Sequence, residues 1–260
     1  MGMLSKNQTM NDDLAIVRNR SKVFCFDVDT ARTYVGKYPQ VYFGYIADRV
    51  KAEDISYNGK MTCTISGPFS RDNLFDFPGR DFKGWRRTIN AFADRIMVSD
   101  VMLNPSDVVD LVTAWNAAAR DRHFRLFSGY DKNFFQNQYF GDEKDRLQCL
   151  FFYDKQSMRC VGFSVLSLEP DGRLGVPTYR YVIGKYLPDK DFNNLSFYLD
   201  LLTFQRLALR VDGEFLIHWG ASDGGVHRYK TEKFRHFLFD TYPVWSGKIN
   251  QPDFPTETLF

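Results

Sequence analysis

The sequence predicts a mixed α/β fold, in which a mainly antiparallel sheet is flanked by helices and preceded by a strand-rich N-terminal region. Three observations predict it. Aromatic residues make up 17% of the 260-residue chain, with 25 Phe and 14 Tyr, which suits β-structure with large side chains at its centre. The hydrophobic period is two in the first third, turns helical from Phe82 and returns to two from Leu147. The later elements then run strand, strand, strand, helix, strand, turn, helix, with no internal repeat or low-complexity segment among them.

Each element has its own signal. Residues 1–20 are polar and mixed in charge and read as a flexible arm. "KVFCFDV", "QVYFGYIA" and "MTCTIS" are β-branched and aromatic runs separated by turn formers, so residues 21–100 form a strand-rich region that closes on a basic helix. In that helix Phe82, Trp85, Ile89, Phe92 and Ile96 recur at helical spacing, leaving Lys83, Arg86, Arg87 and Asn90 toward another face.

A second domain is expected over residues 101–260. Asn104 as N-cap, Pro105 at the first helical position and Asp107 in the first turn open a helix whose stripe is Val108, Leu111, Val112, Trp115 and Ala119. "LQCLFFYD", "RCVGFSVLSL" and "TYRYVIGKYL" form an antiparallel meander, turning at Lys155-Gln156-Ser157 and at Glu169-Pro170-Asp171-Gly172. "NNLSFYLDLLTFQRLALRVDG" is a helix apolar almost all round, with Asn194 as cap and Gly213 as stop. "EFLIHW" is a buried strand, and "VHRYKTEKFRHF" a further helix beyond a glycine-rich turn.

Composition excludes several classes. With 34 Lys plus Arg against 32 Asp plus Glu the net charge is +2, so global charge does not announce a nucleic-acid binder, although a local basic patch is compatible with one. Cys25, Cys63, Cys149 and Cys160 show no CxxC pair and no zinc spacing, and read as buried thiols of a reducing compartment. No stretch of about 18 apolar residues occurs, so a soluble cytoplasmic protein without a membrane span is expected.

The candidate chemistry centres on "HWGASDGGVHRYK". A turn between a buried strand and a helix exposes backbone N–H groups to an anion, and Gly220, Gly224 and Gly225 let a ligand come close. The same glycines also suit a tight connection. A P-loop is excluded because Val226 and His227 stand where Gly-Lys is required, and His218, Asp223 and His227 fall short of a metal-ligand set, so no metal is expected. Asp27 and Asp29 could hold Mg²⁺ after a buried strand, as in haloacid dehalogenase phosphatases. That pattern is displaced by one residue here, and "GDEKD" at 141–145 lacks the apolar strand it would need. Arg80, Lys83, Arg86, Arg87 and Arg95 surround Trp85, an arrangement that binds phosphates or stacks on bases, and equally a solvated helix face. No Gly-x-Ser-x-Gly elbow is present.

Over residues 78–235 the order of these segments resembles GNAT-fold acyltransferases. The likeness is to the Fem-type aminoacyltransferases and lysyl-phosphatidylglycerol-synthase-like domains, carried by "GRDFKGWRRTINAF", the Trp115 helix, "EFLIHWGAS" and "RYKTEKF". It implies a GNAT-like transferase domain that moves an acyl or aminoacyl group to or from an amine. Lys230 would face the reacting carbonyl or a phosphate, and Arg228 and Tyr229 would shape the cleft. Candidate bases are His218 and Asp223; candidate stabilisers are Lys230, Arg228 and the N–H groups of Gly224 and Gly225. The acetyl-CoA pyrophosphate loop is replaced by "GKYLPDKDFNN", which argues against acetyl-CoA and leaves the cofactor unknown. A GNAT fold without that loop is also similar to phage amino-acid:DNA transferases, for which Arg80, Lys83, Arg86 and Arg87 would meet the backbone phosphates. Partners are therefore a small-molecule or aminoacyl donor, with DNA or tRNA under particular readings. A degenerate fold that only binds nucleic acid or protein is the non-enzymatic alternative.

Overall fold

The computed structural model describes residues 16–19, 22–25, 28–46, 49–121, 147–169, 175–187, 194–222 and 224–251. Contacts divide the chain into two compact units, the first comprising Met1–Thr64, Ala221–Tyr229 and Asp240–Phe260, the second Ile65–Gly220 and Lys230–Phe239. The division does not fall at single points near residues 20 and 100, because long elements carry the chain from one unit to the other and back.

The first unit holds β1 (Ile16–Asn19), β2 (Lys22–Cys25), α1 (Val28–Thr33), β3 (Gln40–Ile46), residues 55–64 of β4 (Ile55–Phe69) and most of β10 (Leu238–Ile249). Its strand order is β1-β2-β3-β10-β4. β1 pairs antiparallel with β2, so part of the expected arm is strand. α1 packs Val28 and Ala31 onto Val23, Cys25, Val41 and Phe43. Val28, Asp29 and Thr30 are thus a helix start and not a strand end: Asp29 sits in the first turn of α1, its carboxylate exposed and paired with Arg32 at 3.3 Å. Asp27 and residues 141–145 lie outside the described residues. β10 carries Pro243 and alternates poorly between buried and exposed positions, which is why periodicity does not announce it.

The second unit contains the rest of β4, α2 (Arg71–Leu74), α3 (Lys83–Phe92), β5 (Ile96–Ser99), α4 (Pro105–Asp121), β6 (Leu147–Asp154), β7 (Cys160–Leu168), β8 (Thr178–Tyr186) and α5 (Leu195–Ala208). It also takes residues 215–220 of β9 (Phe215–Ser222) and the end of α6 (Gly224–Lys233) with the turn Arg235–Phe237. Its strand order is β4-β9-β8-β7-β6-β5, antiparallel from β5 through β8 and parallel between β8 and β9. The expected meander is therefore present. Ile96 does not continue the stripe of α3; it opens β5 and pairs with Asp154 of β6. Asn104 does cap α4, its Oδ1 accepting from Ser106 N at 3.1 Å.

Why α5 is apolar all round follows from its place. One side lies on the sheet, so close that a Cβ added at Gly162 of β7 would come within 2.2 Å of Leu199 Cδ1. The other side meets α2 and α3, through Gln205 Nε2 donating to Leu74 O at 2.7 Å, and through Phe197 against Trp85 and Tyr198 against Phe92. On the opposite sheet face α4 packs on β7 and β8, and Lys185 Nζ stands 3.8 Å from the Trp115 ring centre. The unit is a helix–sheet–helix sandwich. All four cysteines are buried thiols outside any disulfide, and burial pushes the Cys149 thiol up to about 12, which keeps it protonated and inert.

Candidate functional site

The site begins where two parallel strands part. β8 and β9 pair only at Thr178↔Leu216, Tyr179↔Ile217 and Arg180↔His218, although β8 runs on to Tyr186 and β9 to Ser222. At the next position in register the rings of Tyr181 and Trp219 stack 5.2 Å apart and 20° from parallel. A register shift against β7, which pairs Val165 with Ile183 but Leu166 with Tyr181, skips Val182 and turns Tyr181 onto the α5 face. Its ring lies over Gly184, where an added Cβ would be 2.3 Å from the phenol oxygen. A glycine is needed there.

Polar groups hold this wedge. Tyr181 Oη donates to Asp200 Oδ1 of α5 at 2.7 Å, and Ser164 Oγ meets Thr203 Oγ1 at 2.7 Å beside it. Burial first, and then the Asp200 charge, hold the Tyr181 phenol well above its ordinary range, so it stays a donor. Trp219 Nε1 donates to Ser66 Oγ of β4 at 2.9 Å. The Trp219 carbonyl accepts from Lys230 Nζ at 3.0 Å. Lys230 is buried, 7% exposed, and its ammonium is thus held at the backbone beside the opening.

The other expected residues distribute as follows. Trp219 packs on Phe204 of α5, so alternation along β9 sends His218 to the opposite sheet face. There His218 Nδ1 lies 2.5 Å from Glu169 Oε1; a carboxylate only accepts, so Nδ1 carries the proton. Gly220 has φ of +70°, and nothing lies within 4 Å of a Cβ placed on it. Gly224 and Gly225 are not turn residues but the first residues of α6, where backbone N–H groups have no partner inside the helix. Arg228 is exposed and Tyr229 half-buried, and with Gly224 and Gly225 they belong to the first unit. Asp223 lies outside the described residues.

The basic helix divides. Trp85 is buried in an aromatic cluster with Phe77, Phe82, Phe197, Phe234 and Phe237, so it cannot stack on bases. Arg86 Nη1 donates to the carbonyls of Phe77 and of Gly79, the latter at 2.8 Å, and ties down the loop before α3. Arg80, Lys83 and Arg87 remain exposed. Tyr181, Asp200 and Glu169 were missed from sequence. A lone acid inside the apolar run "LSFYLDLLTFQRLA" and a glycine inside "TYRYVIGKY" were the available signals.

A mainly antiparallel sheet that includes a parallel strand pair which parts, flanked by helices, is a GNAT-like fold, and comparison with solved structures agrees. A conserved protein of unknown function from Bacteroides thetaiotaomicron VPI-5482 superposes with a TM-score of 0.52 at 13% identity, over 85% of this chain and 73% of that one. The crystal structure of FemX superposes with a TM-score of 0.50 at 8% identity, over 89% of this chain and 82% of that one. No protein-family model matches the chain. No curated protein sequence matches it either. Among the described residues no helix is long and apolar enough to cross a membrane.

Proposed function

We propose that the chain is a transferase that moves an acyl or aminoacyl group to or from an amine, using a phosphate-bearing donor or acceptor. The observation that supports this is the buried ammonium of Lys230 at the Trp219 carbonyl, beside the point where β8 and β9 cease to pair. The parted strands offer backbone groups to a bound carbonyl compound. The amine nitrogen attacks the carbonyl carbon, the C–N bond forms as the carbonyl π pair moves onto oxygen, and collapse expels the leaving group. A preorganised cation in a low-dielectric site stabilises the charge on that oxygen. In this reading Lys230 is that cation. His218, oriented by Glu169, takes the amine proton through water in the open space at Gly220.

Replacing Lys230 by Met keeps the bulk and removes the charge. Turnover with a panel of acyl thioesters and aminoacyl-tRNAs should fall roughly 10²-fold or more, the usual cost of one oxyanion donor. Because the side chain is buried and bonded, some loss of melting temperature accompanies it. Undiminished turnover in a folded Lys230→Met protein removes Lys230 from the chemistry.

A second reading, transfer of an amino acid onto a modified pyrimidine in DNA, draws on the exposed Arg80, Lys83 and Arg87 around the start of α3. The same cations would serve a binding module without turnover.

A further inference from the structure

We infer that a cleft between α3, the start of α5 and the end of α6 binds the phosphate group of a small organic molecule. The cleft has a volume of about 600 Å³, within the range of small-molecule sites. Its cationic side chains are Arg87 from α3, Lys233 from α6 and Arg235 from the turn beyond, and Trp85 and Phe197 line it with apolar surface. Among the described residues none of the three cations is paired with a carboxylate. Arg87 makes no hydrogen bond to a described residue, Lys233 Nζ reaches only Asn194 Oδ1 at 3.4 Å and the Phe197 ring, and Arg235 spends one donor, Nε, on His236 Nε2 at 3.1 Å. That last bond requires a neutral His236 acceptor, since arginine has no acceptor atom. The acids Asp81 and Glu232 also line the cleft, but make no ion pair with the three cations.

Three cations against two acids leave the cavity net positive, and because none of the three is held in an ion pair, an anion seated among them is attracted by each. Guanidinium forks suit phosphate oxygens with two parallel donors, and the lysine adds a point charge. The limited volume, with the Trp85 and Phe197 rings in its lining, favours a compact phosphate ester or diphosphate over a polynucleotide. An extended strand would also engage exposed Arg80 and Lys83, neither of which lines the cleft. As a statement about use, the inference rests on the transferase reading; as a statement about binding, it stands alone.

The test is titration calorimetry of the full chain with inorganic pyrophosphate at low salt. We expect saturable binding that weakens with added salt. Arg87→Gln and Lys233→Gln should each raise Kd at least tenfold, whereas Arg80→Gln and Lys83→Gln should change it less than twofold. Arg87 is exposed and Lys233 half-buried, so these variants keep the fold, and their melting curves verify that. Where either variant melts early, the parent protein decides the matter through the Arg235 Nε resonance, which must shift on adding pyrophosphate. No binding, or binding indifferent to Arg87 and Lys233, overturns the proposal. So does a 5′-phosphorylated oligonucleotide that binds more than tenfold tighter than pyrophosphate and depends on Arg80 and Lys83. Lys230→Met should leave pyrophosphate binding unchanged. Failure of phosphate binding with transfer intact therefore refutes this inference alone, and retained transfer in Lys230→Met refutes the transferase reading alone.

Discussion

Lys230 shows how burial changes what a residue type means. In the sequence it is a lysine in a polar helix, "VHRYKTEKF", and apart from the family resemblance nothing in composition or spacing distinguishes it from Lys233 three positions on. In the structure it is 7% exposed and bonded to a backbone carbonyl, whereas Lys233 is turned to a cleft. An ammonium taken out of water must be met by acceptors, and the Trp219 carbonyl is one of them. Asp154 is the corresponding acid. Its Oδ2 accepts from Ser157 Oγ at 2.7 Å and from Ser157 N at 3.1 Å, while Oδ1 meets Arg95 Nε at 3.0 Å. Those bonds, the Ser157 hydroxyl foremost, hold the Asp154 carboxyl below the usual range. A depressed folded value contributes stability that is complete above the unfolded carboxylate range, near pH 4, and is lost as pH falls through the folded value. Asp154→Ala should therefore cost roughly 1–3 kcal/mol at neutral pH. Denaturant titrations of parent and variant should converge as pH drops below about 4. A gap that stays constant from pH 7 to pH 2 contradicts this account of the turn.

At the scale of elements, α3 separates what the sequence could disclose from what it could not. Its 3.6-residue period was legible, and so were the apolar positions Trp85, Ile89 and Phe92. The fate of each cation was not, because spacing assigns residues to a face but does not say which carbonyl or cavity waits there. Arg86 folds back onto Phe77 and Gly79, Arg87 faces the cleft, and Arg80 and Lys83 face solvent. Trp85 is the sharper instance. Flanking charge suggested a stacking platform, yet five phenylalanine rings stand with centroids between 4.9 and 5.9 Å from it. Replacing it by Ala should cost roughly 3–5 kcal/mol, as for a large aromatic removed from a core. Arg80→Ala should change stability by under about 0.5 kcal/mol. Chemical denaturation of the two variants is the check; a mild Trp85→Ala would mean that the aromatic cluster is loosely packed. The meander and α5 were legible for the opposite reason, since period-two strands and an apolar helix report burial directly. The parting of β8 from β9 left no such trace. It depends on a skipped residue at Val182 and on a tyrosine seated over Gly184, both of which read as ordinary strand.

For the whole molecule the governing quantity is the near balance of charge, 34 cationic against 32 acidic side chains. Such a chain has little long-range field to draw a polyanion, so any contact with duplex DNA must come from local cations. Around the start of α3 these are Arg80, Lys83 and Arg87. Three neutralised phosphates give a slope of about −2.7 in log affinity against log salt, or a loss of roughly 40-fold between 50 and 200 mM salt. Duplex binding should therefore be weak at 50 mM and absent from a shift assay at 200 mM. Arg80→Gln should lower the slope by about one. Affinity that survives 200 mM salt would require a larger cationic surface than these three residues provide. It would move the balance toward DNA as the acceptor and away from a small phosphate-bearing molecule. No shift even at 50 mM would leave the cleft cations Arg87, Lys233 and Arg235 to the small ligand alone, and would end both the DNA-transfer reading and the nucleic-acid-binding alternative.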